Sequence, residues 1–164
     1  MMKNLIVYGS LINKKELIKE GISLLDIEPI KVHGFKRVFN QEPSYRLVDS
    51  INRAVLNIEE EKDSWFNALV IKNLSDEYFE ILDKREKGYN KFFLEDNSVK
   101  TYDDISVLNC VVYKGKVQKK NNEILPNFDY LKICLDGVQD FNKDFFNDFL
   151  KTTYKNSKEG LVII

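Results

Sequence analysis

A chain of 164 residues can close a core without disulfide or metal staples, and a hydrophobic fraction of 43% argues against disorder. The net charge of -1, with no basic cluster beyond pairs such as Lys119-Lys120, gives little reason to expect nucleic acid and favours a small-molecule partner. No apolar run approaches the roughly 18 to 20 residues that span a bilayer, so a single cytoplasmic domain over 1–164 with no membrane partner is expected.

The apolar run 5–8 predicts a buried strand, cut off by Gly9-Ser10. Asn13 and Glu16 have capping-box spacing and Gly21 is a suitable stop, which predicts a short helix over 14–20. A strand is expected over 30–39, with Gly34 as a bulge or bend. Segments 53–58 and 65–71 read as two further strands, separated by a polar acidic connection whose Glu59 to Glu61 run belongs to the surface. Further strands are expected at 91–94 and 105–113, then a polar loop over 114–123 and two closing helices over 127–138 and 142–154. Five or six strands with scattered helices, rather than steady alternation, argue for an α+β fold. No internal repeat is visible.

Between these lies a helix from Ser75 to a stop at Gly88. Ser75 is a suitable cap, Asp76 and Glu77 suit the positive end of its dipole, and Leu74 with Phe79 has hydrophobic-staple spacing. Phe79, Leu82, Glu86 and Tyr89 follow at spacings of three, four and three, the stripe by which a helix faces a core. A carboxylate on that stripe must be neutral, paired or hydrogen-bonded, and desolvation raises its pKa toward the range of a useful base. The carbonyls of the last turn push the same way, while Lys84, Arg85 and Lys87 oppose it. Periodicity alone leaves open a second reading, a solvent-facing charge at a helix end.

The other reactive side chains point elsewhere. Cys110 and Cys134 lie in apolar runs without metal-ligand spacing and read as small buried hydrophobes, so no metal site is expected. The only histidine, His33, falls in a strand or its turn with no nucleophile-elbow motif beside it, and a structural role is expected there.

The strand end Val7-Tyr8-Gly9-Ser10-Leu11, followed later by Leu82-Asp83-Lys84-Arg85-Glu86-Lys87-Gly88-Tyr89, resembles the gamma-glutamyl cyclotransferase-like family. The segments 34–40, 53–57 and 125–131 resemble its middle strands and the start of its C-terminal helix, so the likeness covers most of the chain. Asn67-Ala68 departs from it, since many relatives have a glycine there. The resemblance implies a mixed, mostly antiparallel sheet curled into a partial barrel with flanking helices. It also implies an intramolecular aminolysis: the α-amino nitrogen of a gamma-glutamyl compound attacks its own γ-carbonyl, releasing 5-oxoproline and an amine, without metal or organic cofactor. Glu86 matches the family's catalytic glutamate, and Gly9, Ser10 and Leu11 match its substrate loop.

A glycine turn lets backbone N–H groups approach an anion closely, so Gly9 and Ser10 suit either the substrate's α-carboxylate or the developing oxyanion. Tyr8, Tyr89 and Tyr113 are candidate substrate contacts, each with an apolar face and a polar tip, although any of the chain's eight tyrosines also reads as half-buried core. Asp83 and Arg85 read as surface or supporting residues. A noncatalytic binding module and a hydrolase acting through water are the alternatives. The leaving group is expected to face loops 41–51 or 114–123. The terminal segment 160–164 is expected to dock on its own domain, and the oligomeric state is not legible.

Overall fold

The computed structural model describes residues 2–22, 26–43 and 52–160. Seven strands form one sheet: β1 (Lys3–Val7), β2 (Ile27–Gln41), β3 (Val55–Leu74), β4 (Tyr89–Phe93), β5 (Val99–Thr101), β6 (Cys110–Gly115) and β7 (Thr153–Tyr154). Their order is β4-β6-β1-β3-β2-β5, with β7 beside β2, and among the described residues the sheet does not close. The β1/β6 and β2/β7 pairs are parallel and the others antiparallel. Four helices complete the fold: α1 (Lys14–Lys19), α2 (Asp76–Arg85), α3 (Phe128–Val138) and α4 (Lys143–Lys151). The mixed, mostly antiparallel α+β architecture expected from the sequence is present.

The long β2–β3 pair is the backbone of the sheet. The expected bend at Gly34 is real: its φ is +89°, and the register shifts there between His33 and Phe35. The expectation of two strands over 53–58 and 65–71 is corrected, because β3 is one strand of 20 residues. Glu59 pairs with Lys36 and Glu60 with Phe35, pairing resumes at Trp65 opposite His33, and 61–64 bulge opposite the Gly34 bend. Cations from β6 and the loop after it make this acidic run tolerable: Lys120 reaches Glu59 at 2.9 Å and Lys114 reaches Glu60 at 3.5 Å. Glu59 is thus not a bare surface charge. Its carboxylate also accepts from Asn40 Nδ2 and from Ser157 Oγ, each at 2.6 Å.

Local signals place the helices with small changes. Asn13 caps α1, but its Oδ1 accepts from Lys15 N at 2.9 Å and not from the third helical residue that a capping box requires. Ser75 precedes α2 without a side-chain cap bond, and the staple pair Leu74 and Phe79 is buried. Asn127 and Asn142 cap α3 and α4 by accepting from Tyr130 N and Phe145 N. The closing helix ends at Lys151, short of the expected 154. Thr152 and Thr153 turn inward with their hydroxyls on Arg37, and Thr153–Tyr154 joins β2. The predicted strand over 105–113 begins only at Cys110, while β5, which was not anticipated, is a three-residue edge.

The core fills the space beneath the helices with fully buried Ile30, Val32, Leu56, Phe66, Phe145 and Phe149. Both cysteines are buried as expected, and burial pushes the Cys110 thiol up to about 12. His33 is on β2, exposed. No helix among the described residues is long and apolar enough to cross a membrane. The terminal segment 160–164, apart from Gly160, and the loop 44–51 lie outside the described residues.

Candidate active site

The buried strand β1 stops where Gly9 interrupts the apolar run, and the chain tightens into a 3-10 turn at Ser10–Ile12. Helix α3 lies on this turn. Asn13 Nδ2 donates to Ile133 O at 3.0 Å, and Gly137 passes so close that an added Cβ would lie 2.6 Å from Asn13 N. From the same helix the Tyr130 hydroxyl reaches back over Gly9, where it accepts from Ser10 N at 3.4 Å. A side chain at position 9 would collide with that hydroxyl, so Gly9 is required by close approach.

Opposite the turn, α2 ends at Arg85 and Glu86 occupies its C-cap, with φ -91° and ψ 50°. The residue is therefore one step beyond the helix rather than in its last turn, yet it still continues the face carrying buried Phe79 and Leu82. The direction of the chain after it is held by Gly88, whose φ is +86° and whose carbonyl accepts from Gln41 Nε2 and Lys116 N, both at 2.8 Å. Tyr89 then starts β4, and its hydroxyl donates to Leu56 O at 2.6 Å.

These two chain reversals face each other across a cleft of about 620 Å³, its open mouth included. Every candidate named from the sequence lines it: Glu86, Tyr8, Gly9, Ser10, Leu11, Tyr89 and Tyr113. Sequence reasoning missed Tyr130 and Leu56 as lining residues, along with Pro43 and Lys87 at the same cleft. Tyr130 did carry a signal, since it stands at the third helical position after the Asn127 cap, within a stretch already singled out. Arg85, read as a surface or supporting residue, is half-buried and bridges two acids: its Nη1 donates to Glu86 Oε1 and its Nε to Glu20 Oε1, each at 2.9 Å. Asp83 also has a defined partner, accepting from the Tyr113 hydroxyl at 2.6 Å.

The electrostatics separate the titratable groups. Burial first, then the neighbouring Tyr130 and Glu86, push the Tyr8 hydroxyl well above the ordinary tyrosine range, against the opposing Arg37. Burial likewise raises Tyr113, reinforced by its hydrogen bond to Asp83 and by the charges of Asp83 and Glu86. Both phenols therefore stay protonated at neutral pH and serve as hydrogen-bonding groups. Glu86 is the one carboxylate lining the cleft among the described residues, and it is ion-paired with Arg85 at 2.9 Å. No group of three or more His, Cys, Asp and Glu side chains among the described residues is arranged to hold a metal ion.

Neither a family model nor a curated protein matches the sequence. Solved structures do. A gamma-glutamyl cyclotransferase superposes with a TM-score of 0.72 at 15% identity, covering 99% of this chain and 94% of that one. A gamma-glutamyl cyclotransferase specific to glutathione from yeast gives 0.64 at 15% identity, covering 95% and 99%. YkqA from Bacillus subtilis gives 0.70 at 16% identity over 89% of this chain, which spans only 52% of YkqA. On these superpositions the chain has the gamma-glutamyl cyclotransferase-like fold.

Proposed function

We propose that the protein is a gamma-glutamyl cyclotransferase-type enzyme, releasing 5-oxoproline and a free amine from a gamma-glutamyl compound, with Glu86 as general acid and base. The observation that carries this reading is the placement of the Glu86 carboxylate and the Gly9–Ser10 turn on one cleft. The α-ammonium of the substrate loses a proton to Glu86, and the freed nitrogen attacks the γ-carbonyl. A lactam C–N bond forms and the old amide C–N bond breaks; the attacking nitrogen gives up its second proton to solvent, and the departing nitrogen receives the first from Glu86. Such proton transfer contributes about 100- to 10,000-fold.

The remaining chemistry is positioning. Nucleophile and electrophile share one molecule, so the cleft needs to hold it folded and to steady the oxyanion. Tyr8 and Tyr89 spend their hydroxyl protons on the carbonyls of Tyr113 and Leu56, and their oxygen lone pairs suit the substrate ammonium as acceptors. The Gly9 N–H at this turn suits the α-carboxylate or the oxyanion, while the Ser10 N–H donates to the Tyr130 hydroxyl. The reaction as drawn uses no cofactor, and the partner is a small molecule.

Incubation with gamma-glutamyl amino acids, gamma-glutamylamines and glutathione, followed by assay for 5-oxoproline, tests the reading. Formation of 5-oxoproline with at least one of them is expected. Binding without conversion would make the domain a noncatalytic module, and free glutamate would make it a hydrolase.

A further inference from the structure

The most unusual charge in the molecule is not in the cleft but behind it. Arg37 on β2 is completely buried, and the titratable groups that act on its charge are Cys134, Tyr102, Tyr130 and Tyr8, with no carboxylate among them. A cation without a counter-ion is costly to bury, so its hydrogen bonds must be numerous and well placed. They are all to neutral oxygens. Nε donates to Thr153 Oγ1 at 2.9 Å; Nη2 donates to Asn67 Oδ1 at 2.8 Å and Thr152 Oγ1 at 2.9 Å, and more weakly to Phe149 O at 3.3 Å. The ring of Phe149 stacks 4.0 Å from the guanidinium carbon. Burial pulls the guanidinium down to about 9, which leaves it a cation at neutral pH.

Its last donor, Nη1, divides between Asn67 O at 2.5 Å and Tyr8 O at 3.2 Å. The Tyr8 carbonyl belongs to the same peptide unit as the Gly9 N–H. No peptide bond among the described residues is cis, so carbonyl and N–H of that unit point in opposite directions. A carbonyl turned inward to Arg37 turns the Gly9 N–H away from the guanidinium, on a residue that lines the cleft. A cation on the oxygen also draws electron density through the amide, making the N–H a stronger donor, as hydrogen-bonded chains polarise one another.

We propose that Arg37 is a positioning residue of the cleft: through the Tyr8–Gly9 peptide it aims and strengthens the Gly9 N–H as a donor to a bound anion. This rests on the reading of the Gly9 turn as the anion-binding side of a cyclotransferase site. It also gives the buried, unpaired charge a use: the positive charge reaches the substrate through one rigid amide without occupying the cleft.

Tyr8-Gly9 is the only Tyr-Gly pair in the chain, so protein labelled with carbonyl ¹³C-tyrosine and ¹⁵N-glycine gives a single cross-peak reporting both atoms of this peptide. In ligand-free Arg37→Gln that peak is expected to move upfield in the Tyr8 carbonyl and Gly9 amide-proton dimensions. Arg37→Lys, which keeps charge but loses the fork, is expected to lie between, and it decides the question if Arg37→Gln does not fold. Added 5-oxoproline is expected to move the wild-type amide downfield and to bind about tenfold more weakly to the Arg37 variants, the scale of one charge-assisted hydrogen bond. Thr153→Val removes a different Arg37 partner. It is expected to lower the unfolding midpoint while leaving peak and affinity in place, which a purely structural role for Arg37 would not separate. A folded Arg37→Lys with the wild-type peak position and wild-type 5-oxoproline affinity would overturn the proposal. A wild-type Gly9 amide indifferent to 5-oxoproline would overturn the cleft assignment, while the ligand-free comparison would still decide the Arg37–Gly9 link.

Discussion

The hydroxyl of Tyr130 occupies the space where a side chain at residue 9 would begin, and its ring carbon Cζ lies 3.5 Å from that point, an ordinary contact distance. Gly9 and Tyr130 are thus one packing unit joining the β1 turn to α3. Gly9→Ala is expected to cost about 1–3 kcal/mol, as overpacking does. In a Tyr130→Phe background the same change is expected to cost less than about 1 kcal/mol, because the remaining contact is unstrained. A double-mutant cycle in urea checks this, and an equal cost in both backgrounds would contradict it.

Arg85 holds two carboxylates from different elements, Glu20 after α1 and Glu86 after α2. Its truncation, Arg85→Met, would leave both half-buried and without this partner, at an expected cost of about 1–3 kcal/mol. The orientation of Glu86 would loosen with it, so kcat is expected to fall more than KM rises. Urea unfolding and steady-state kinetics on one preparation separate the two effects. Arg85→Lys, which lacks the fork, is expected to restore stability better than kcat.

Glu59 supplies a pH dependence. Burial alone would raise its carboxyl, but hydrogen bonds from Ser157, Lys120 and Asn40 and the charge of Lys120 outweigh it and hold the group below its ordinary value. A lowered folded-state pKa contributes stability that is present above the unfolded pKa and lost as pH falls through the folded one. Denaturation midpoints should therefore decline on acidification from about pH 5 to 3, and Glu59→Gln should decline less steeply over that window. Parallel slopes for the two proteins would exclude this carboxylate as a contributor.

The legible parts of the fold were those written in local chemistry. The starts of α3 and α4 next to Asn127 and Asn142, the glycines 21, 34 and 88 and the staple Leu74–Phe79 each act within a few residues, and each lies where the sequence suggests. The failures were non-local. Glu59 and Glu60 look like a solvated connection until Lys120 and Lys114 arrive from elsewhere in the chain to pair with them. The short β7 exists because Thr152 and Thr153 bind a buried arginine more than a hundred positions away, which no periodicity encodes. At the site, Glu86 was visible as a carboxylate on an apolar stripe. Tyr130 was visible only as an early residue of α3, because its place over Gly9 depends on how that helix docks on the β1 turn.

The central claim is that Glu86 moves protons within a bound gamma-glutamyl substrate, and one measurement tests it most directly. 5-Oxoproline formation is followed for wild-type protein and Glu86→Gln on the best substrate of the panel, with 5-oxoproline binding measured alongside. The amide is nearly isosteric and can still accept from Arg85, so the variant is expected to fold and to bind 5-oxoproline near normally. Its turnover is expected to fall by at least about 100-fold, the lower range of general acid–base catalysis. Near-normal turnover by folded Glu86→Gln would contradict the account.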